Sequence, residues 1–397
     1  MTDRHYRVLM IAPTSFFSDY GCHIRIAQEA HELQSRGHDV LIATYHNGDE
    51  VDGLHTVRSW DVPWIKRTLV GSSRHKLYLD AALSWRSLRT ALRYKPDIIH
   101  AHLHEGGLIG AVLKRIINRP LVFDFQGSMT AEMIDHKFLA SRQSPLYKPL
   151  YHLESWINRQ ADMIITSSDN ASQLLQTDFG QPAAHVTTIA DGIDTNFFVP
   201  QARNDELLKS LGIPSNKKIV VYLGLLAPYQ GTNMLIEAIP TIIKAVPDAH
   251  FLIMGYPDPD SYLRYAHSLG VGEYVTLPGR IRYRDSQHYL GLGDVAVAPK
   301  MSLSEGSGKI PQYMSLGLPV ITFDSAVSRQ YLGENGIYAT YGSRDSLATR
   351  IIETLQQPEH ARAVGERNRM LAIANHSIAH IGPHLESIYQ RLSATRT

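Results

Sequence analysis

Runs of four to six residues rich in Val, Ile and Leu recur along this chain, and helix-length segments separate them. In the first half they fall at 7–12, 39–44, 97–100, 120–124 and 162–166. None alternates apolar with polar residues, the pattern of strands covered on both faces. The intervening segments include 22–36, which stops at Gly37 in a helix C-cap position. A βαβ series of this kind folds as an open, doubly wound parallel sheet. After Asp191-Gly192-Ile193-Asp194 and a polar, Pro-containing stretch from Pro200 to Lys217, the rhythm restarts at 219–224, 251–255, 275–277, 295–298 and 319–323. Two α/β domains of roughly 190 residues each are therefore expected. Ligands of such sheets sit beyond the carboxyl ends of the strands.

Composition narrows the function classes. Lys and Arg number 39 against 38 Asp and Glu, a net charge of +1, with 44% hydrophobic and 19% charged residues. That is an ordinary globular balance, and it excludes wholesale disorder and a dedicated nucleic-acid binder. The single cysteine, Cys22, leaves neither an internal disulfide nor a Cys-based zinc cage. The first apolar run is too short for a signal peptide, and no run approaches the ~18 apolar residues of a membrane span. A soluble cytosolic chain is expected.

Two loops carry the chemistry. The first reads Pro299-Lys300-Met301-Ser302-Leu303-Ser304-Glu305-Gly306-Ser307-Gly308-Lys309-Ile310, a strand end, a Gly/Ser-rich loop and a helix start near Gly308. Free amides at a helix start favour an anion, and small residues let a phosphate approach closely. Lys309 adds a full charge, and Glu305 is suited to accept hydrogen bonds from sugar hydroxyls. A plain βα turn with a helix cap gives the same local pattern. The second loop, Gly224-Leu225-Leu226-Ala227-Pro228-Tyr229-Gln230-Gly231, leads into a helix at 232–245, with Gln230 suited to donate to a phosphate oxygen. No G-x-G-x-x-G follows any strand, so a dinucleotide-dependent oxidoreductase lacks its fingerprint.

Taken in order, these motifs resemble a retaining glycosyltransferase of family 4, over nearly the whole chain. Gly21 followed by a helix and Arg36-Gly37-His38-Asp39-Val40 is similar to the family's "G…L…rGHeV"; Asp97-Ile98-Ile99-His100-Ala101-His102 resembles "D-v-v-H-x-H". Asp191-Gly192-Ile193-Asp194 resembles "N-G-V-D", and Gly224 to Gly231 resembles "G-R-L-x-x-x-K-G". Glu305-Gly306-x-Gly308 resembles the start of the E-x7-E element, and Gly317-Leu318-Pro319-Val320 its closing "G-x-P-V". The resemblance implies the GT-B fold: two Rossmann-like doubly wound domains facing across a cleft. Residues 1–198 would form the acceptor side and 199–378 the donor side, with 379–397 a C-terminal helix returning to the first domain.

The departures from the pattern are specific. The Arg and Lys that hold the donor diphosphate in the family are Leu225 and Gln230 here, and the second Glu of E-x7-E is Tyr313. The His near the end of the strand carrying Asp124 is Gln126. Losing two cations beside a diphosphate costs several kcal/mol unless something replaces them. Lys309, one helical turn from Tyr313, is the expected replacement, with Arg280 and Arg282 as further candidates.

The resemblance then implies a nucleotide-diphospho-sugar donor, a glycan or lipid-linked acceptor, and no metal or other cofactor. Catalytic roles fall to Glu305 and Lys309, with Asp124 and Gln126 at the transferred sugar or the acceptor; Asp124 would equally serve only to order its strand end. Gly224, Gln230, Gly231, Arg280, Arg282, Gly306, Ser307, Gly308 and Tyr313 would line the donor, and Gly21 and His102 the acceptor side. His100, His102 and His104 alternate along an extended segment and would share a face, a spacing compatible with a metal; the family has histidines there without one. Two other readings remain open: a sugar-nucleotide-binding scaffold without activity, and a sugar-nucleotide epimerase on the same fold.

Residues 58–95 stand apart from the neutral average. Nine cations (Arg58, Lys66, Arg67, Arg74, Lys76, Arg86, Arg89, Arg93, Lys95) face two anions, Asp61 and Asp80, with Trp60, Trp64, Tyr78 and Trp85 interleaved. On a helix over 81–94, Ala81, Trp85, Leu88 and Leu92 form an apolar stripe beside Arg86, Arg89 and Arg93. Such a surface suits the anionic inner face of a membrane, which would bring a lipid-linked acceptor to the site. The alternative is a helix that packs this stripe on its sheet and solvates its arginines.

Overall fold

Each apolar run of the sequence becomes a strand with parallel neighbours. The structure is a computed structural model that describes residues 4–19, 21–62, 76–302 and 305–394. Trp64, Lys66, Arg67, Arg74, Leu303 and Ser304 lie outside the described residues. The chain forms two units: Met1–Gly192 with Ser304–Gly306 and Ile378–Thr397, and Ile193–Leu303 with Ser307–Ser377.

The first unit is built from β1 (Arg7–Ala12), α1 (Gly21–Ser35), β2 (Asp39–Thr44), β3 (His55–Arg58), α2 (Lys76–Tyr94), β4 (Ile98–His102) and α3 (Leu103–Ile117). It continues through β5 (Leu121–Phe125), α4 (Met129–Asp135), α5 (Tyr147–Gln160), β6 (Met163–Thr166), α6 (Asp169–Thr177) and β7 (Val186–Thr188). The seven strands run β3-β2-β1-β4-β5-β6-β7, all parallel. Alternate strand residues feed two apolar layers. Val8, Met10, Val40 and Ile98 pack under α1; Leu9, Ile11, Ala43 and Ile99 pack under α2 and α3.

The second unit runs α7 (Asp205–Ser210), β8 (Lys218–Leu225), α8 (Thr232–Ala245), β9 (Ala249–Tyr256), α9 (Pro259–Ser268), β10 (Val275–Gly279), α10 (Ser286–Leu290) and β11 (Val295–Ala298). Then come α11 (Lys309–Ser315), β12 (Val320–Phe323), α12 (Ala326–Leu332), β13 (Ile337–Ala339), α13 (Arg344–Gln356) and α14 (Pro358–Asn375). Its six strands run β10-β9-β8-β11-β12-β13, again parallel. The chain's final helix, α15 (Ile381–Ala394), packs on α1 and sends Leu385, Ile388 and Tyr389 into the layer beneath it. The expected pair of doubly wound α/β sheets is present.

Two sequence expectations change. His104 leaves the row of alternating histidines, because β4 ends at His102 and Leu103 turns the chain (φ 59°) into α3. It sits edge-on to Phe123 and Phe125 instead, 3.5 Å from Glu154. The helix expected over 81–94 begins at Lys76, and the face it buries is Leu79, Leu83, Ser87, Thr90 and Ala91. Of the expected stripe, Ala81, Trp85 and Leu92 are exposed, while Leu88 is half-buried and packs against the layer beneath α2.

Glu154 illustrates how the loops are pinned. Fully buried on α5, its carboxylate accepts from the Met129 and Thr130 amides at 3.0 Å and from the Thr130 hydroxyl at 2.7 Å, capping α4. Glu154→Ala leaves those amides buried without an acceptor, and the urea midpoint is expected to fall by the equivalent of about 2 kcal/mol or more.

Candidate functional site

In both sheets the winding direction reverses at one point, between β1 and β4 and between β8 and β11. A crevice opens beyond the strand ends at such a point, because the flanking loops diverge there. Several of the residues the sequence singles out gather at these two places, and each is described within its own unit.

In the second unit, the loops after β8 and β11 are knit together by the Met301 amide, which donates to the Tyr229 carbonyl at 2.8 Å. Gly231 makes that approach possible: its φ is 76°, and a Cβ there would lie 1.8 Å from the Pro299 carbonyl oxygen. Lys309, the first residue of α11, reaches back over this crossing. Its ammonium donates to Gln230 Oε1 at 3.1 Å and to the Tyr222 hydroxyl at 3.2 Å, and sits 4.3 Å from the centre of the Tyr222 ring. A Cβ at Gly224 would come within 2.5 Å of Lys309 Nζ, so the glycine vacates the seat that the ammonium fills. The structure thus joins Gly224, Gln230, Gly231 and Lys309 in one cluster. Gly308 caps α11, and the neighbouring Ser307 hydroxyl is buried with no hydrogen-bond partner among the described residues.

Other expected donor residues lie elsewhere. Tyr313 is fully buried, and its hydroxyl accepts from the Leu223 amide at 2.8 Å. It braces α11 against β8 and leaves no hydroxyl facing a ribose. Arg280 stacks on the Tyr256 ring at 5.6 Å, and Arg282 is exposed just before a short turn. Glu305 and Gly306 group with the first unit, where the Gly306 amide donates to Ser167 Oγ at 3.2 Å.

The first unit's switch point is occupied by buried charge. Arg25, on α1, directs its Nε and Nη2 to both oxygens of Asp124, at 2.9–3.1 Å, and its Nη1 to Asp191 at 3.1 Å and the Ile189 carbonyl at 2.9 Å. Glu29, one turn along α1, lies 3.2 Å from the same guanidinium. The strand register pairs His102 with Asp124, and His102 Nδ1 meets Asp124 Oδ2 at 3.0 Å. Gln126 donates to that oxygen at 2.8 Å, and His100 stacks on His102 while its Nδ1 meets the Tyr389 hydroxyl. Asp124 is therefore fully buried and spent on Arg25, His102 and Gln126, while Gln126 itself remains partly exposed. Gly21 opens α1 and is exposed; a Cβ there would meet nothing within 4 Å.

Burial acts to raise the pKa of both inner carboxyls, but the outcomes differ. At Asp124 the bidentate Arg25 and the His102 bond overcome burial and hold the group below the usual carboxylate range. At Glu29 burial is reinforced by the charge on Asp124, and the group is raised well above that range despite Arg25. Burial and the neighbouring His102 push His100 down, favouring the neutral ring. Glu29, His100 and His102 bring three metal-ligand atoms within 4.8 Å of one another. Arg25 lies 3.2 Å from Glu29, so a metal would bind against a resident cation.

The sequence expectations named Asp124, Gln126 and His102 but not Arg25 or Glu29. Their opposite shifts predict opposite behaviour on neutralisation. Asp124 has a folded value below its unfolded one, so its contribution is present above about pH 3.9 and lost as pH falls below that. Asp124→Asn should cost about 3–5 kcal/mol at pH 7, the deficit closing in acid. Glu29 has a folded value above its unfolded one, so the ionised form destabilises increasingly as pH rises past about 4.3. Glu29→Gln, whose amide can donate to His100 Nε2, should match or exceed the parent protein's melting temperature, by a margin that widens from about pH 5 to pH 8. Thermal melts across that range check both.

Comparison with known proteins covers both units. Residues 20–192 match the family model of a glycosyl transferase 4-like domain, and residues 217–357 that of glycosyl transferases group 1. The sulfoquinovosyl transferase of Arabidopsis thaliana is 23% identical over 91% of this chain and 69% of its own length. Spore coat protein SA of Bacillus subtilis is 25% identical over 75% of this chain and 86% of its own. Among solved structures, sucrose-phosphate synthase of Thermosynechococcus elongatus superposes with a TM-score of 0.83 at 20% identity, covering 99% of this chain and 100% of that one. Two glycosyltransferase family models in series, on two parallel doubly wound sheets, place the chain in its family: it belongs to the glycosyltransferases of the GT-B fold, family-4 type.

Proposed function

We propose that the protein transfers a glycosyl unit from a nucleoside-diphospho-sugar to a glycan or lipid-linked acceptor, with retention of configuration and without a metal. The observation that carries this reading is the ammonium of Lys309, seated over Gly224 and 3.1 Å from Gln230 at the switch point of the second sheet. The family's diphosphate cations are absent at positions 225 and 230, and Lys309 restores one positive charge beside them from the adjacent helix. Similar structures lend support: the Anabaena protein HepE, with a TM-score of 0.78 at 17% identity, was solved with UDP-glucose. A relative in Corynebacterium glutamicum, 27% identical over 59% of this chain, is a GDP-mannose-dependent mannosyltransferase acting on a monoacylated phosphatidylinositol mannoside. The work would be done in the cytoplasm, peripherally at the inner face of the membrane.

In the step we infer, the bond from the anomeric carbon to the diphosphate breaks and its electron pair leaves with the phosphate. Lys309 and the Ser307 hydroxyl stabilise the oxygens on which charge collects. The acceptor oxygen bonds to the anomeric carbon on the same face, and its proton passes to the departing phosphate. Glu305 would take the hydroxyls of the transferred sugar, and Gln126, steadied by Asp124, would face sugar or acceptor. Leu225 and Gln230 favour a second reading, a sugar-nucleotide-binding scaffold without transfer.

Incubation with a panel of nucleoside-diphospho-sugars and an acceptor extract separates the two: acceptor-dependent release of nucleoside diphosphate supports transfer, and binding without release supports the scaffold. Lys309→Ala and Glu305→Ala are each expected to lower acceptor-dependent release by about 10²-fold or more, and unchanged rates in both would overturn the donor-site assignment.

A further inference from the structure

A pocket of the first unit stands apart from the residues gathered at its switch point. It encloses about 190 Å³ among α4, the segment leading into α5, α5 itself and the end of α6. Part of its lining is a row of three rings. Tyr147 and Tyr151, one turn apart on α5, lie 22° from parallel with centroids 6.1 Å apart, and Phe179 continues the stack 4.9 Å beyond Tyr151 at 21°. The Tyr151 hydroxyl donates to the Asp178 carbonyl, tying α5 to the end of α6, and the Phe179 ring is buried. The row is therefore set before any ligand arrives, which lowers the ordering cost of binding. From α4 the lining takes Ala131, Ile134 and Asp135, positions i, i+3 and i+4 that share one face.

Glu132 leaves α4 on another face. A Cβ at Gly127 would press on both Glu132 and Glu305, and the Glu132 charge is felt at Cys22 and Lys76. The body of α4 thus stands between the pocket and the side where Gln126 and Glu305 lie, a separation of roughly one helix diameter, about 10 Å. A short oligosaccharide reaches that far.

The lining chemistry narrows the occupant. Its charged groups are Arg142, Asp135 and Asp178, one cation against two anions, so a phosphate or nucleotide meets net repulsion. A hydrocarbon chain would strip water from those charges without pairing them. A neutral ring rich in hydroxyls answers both demands. The C–H face of a pyranose packs on an aromatic ring, while carboxylates accept from its hydroxyls and a guanidinium donates to their oxygens. Arg142 stands near enough to Tyr151 for its charge to act at the phenol, which brings cation and ring to the same ligand.

We propose that this pocket holds a neutral pyranose unit of an oligosaccharide, a sugar of the acceptor chain removed from the hydroxyl that reacts. Its role rests on the glycan-acceptor reading above, but binding to it needs neither donor nor transfer. The protein would then favour acceptors already several sugars long.

Saturation-transfer NMR on the full chain without donor tests this, with neutral gluco-, galacto- and manno-oligosaccharides and the corresponding hexose phosphates at about 10 mM. At least one neutral series is expected to bind with a Kd of about 1 mM, more tightly than the hexose phosphates. Arg142→Ala should weaken that binding about tenfold and Tyr147→Ala about threefold, each with the native circular dichroism. Lys309→Ala should bind as the parent does. In the release assay, Arg142→Ala should raise KM for the long acceptor and leave kcat and the donor KM in place. Oligosaccharide binding in a protein that transfers from no donor would support the pocket and count against the transfer reading. No binding by any neutral oligosaccharide, binding unmoved by both pocket substitutions, or tighter binding of the hexose phosphates would overturn the proposal.

Discussion

One guanidinium organises the first unit. Arg25 lies in the interior, where an isolated charge is untenable, and it is stable there only because α1, β5 and the segment after β7 each bring it an acceptor. Its fork geometry meets Asp124 with two nitrogens at once, which fixes the roll of α1 over the strand ends. Asp124 in turn orients His102 and Gln126. The partly exposed Gln126 is thus held in place by a chain of buried contacts running back to the first helix.

The second unit solves a related problem by removing atoms. At Gly231 the backbone passes so near Pro299 that no side chain fits, and at Gly224 the missing side chain becomes the space for an ammonium. That ammonium reaches the loop after β8 from the first turn of α11. Its reach is conserved by the crossing of the two loops, and its aromatic floor, Tyr222, lies under it without competing for protons.

The central strands were legible because they are buried on both faces, and burial leaves an uninterrupted apolar run. The strands His55–Arg58, Val186–Thr188 and Ile337–Ala339 were not, and all three are sheet edges whose residues are half-covered. The cluster of Gly224, Gln230, Gly231 and Lys309 was legible from motif order. Arg25 and Glu29 were not, because an Arg and a Glu four apart on a helix look like a common surface pair until the carboxylate of Asp124 is known to lie beneath them. The orientation of α2 was not legible, because its stripe of Ala81, Trp85, Leu88 and Leu92 suited a membrane surface and the sheet alike. In the structure the face turned to the sheet is Leu79, Leu83, Ser87, Thr90 and Ala91.

The last helix carries a consequence in time. Leu385, Ile388 and Tyr389 fill the layer founded by Val8 and Met10, and Tyr389 also closes the polar network at His100. Those residues leave the ribosome after the whole of the second unit, roughly 190 residues beyond Gly192, a delay of about 10–40 s at ordinary synthesis rates. Through that interval the layer under α1 lacks part of its cover, and His100 lacks its Tyr389 partner. The second unit is complete before the first, although it is made later. The core of the first unit is therefore completed only when the last helix, Ile381–Ala394, arrives.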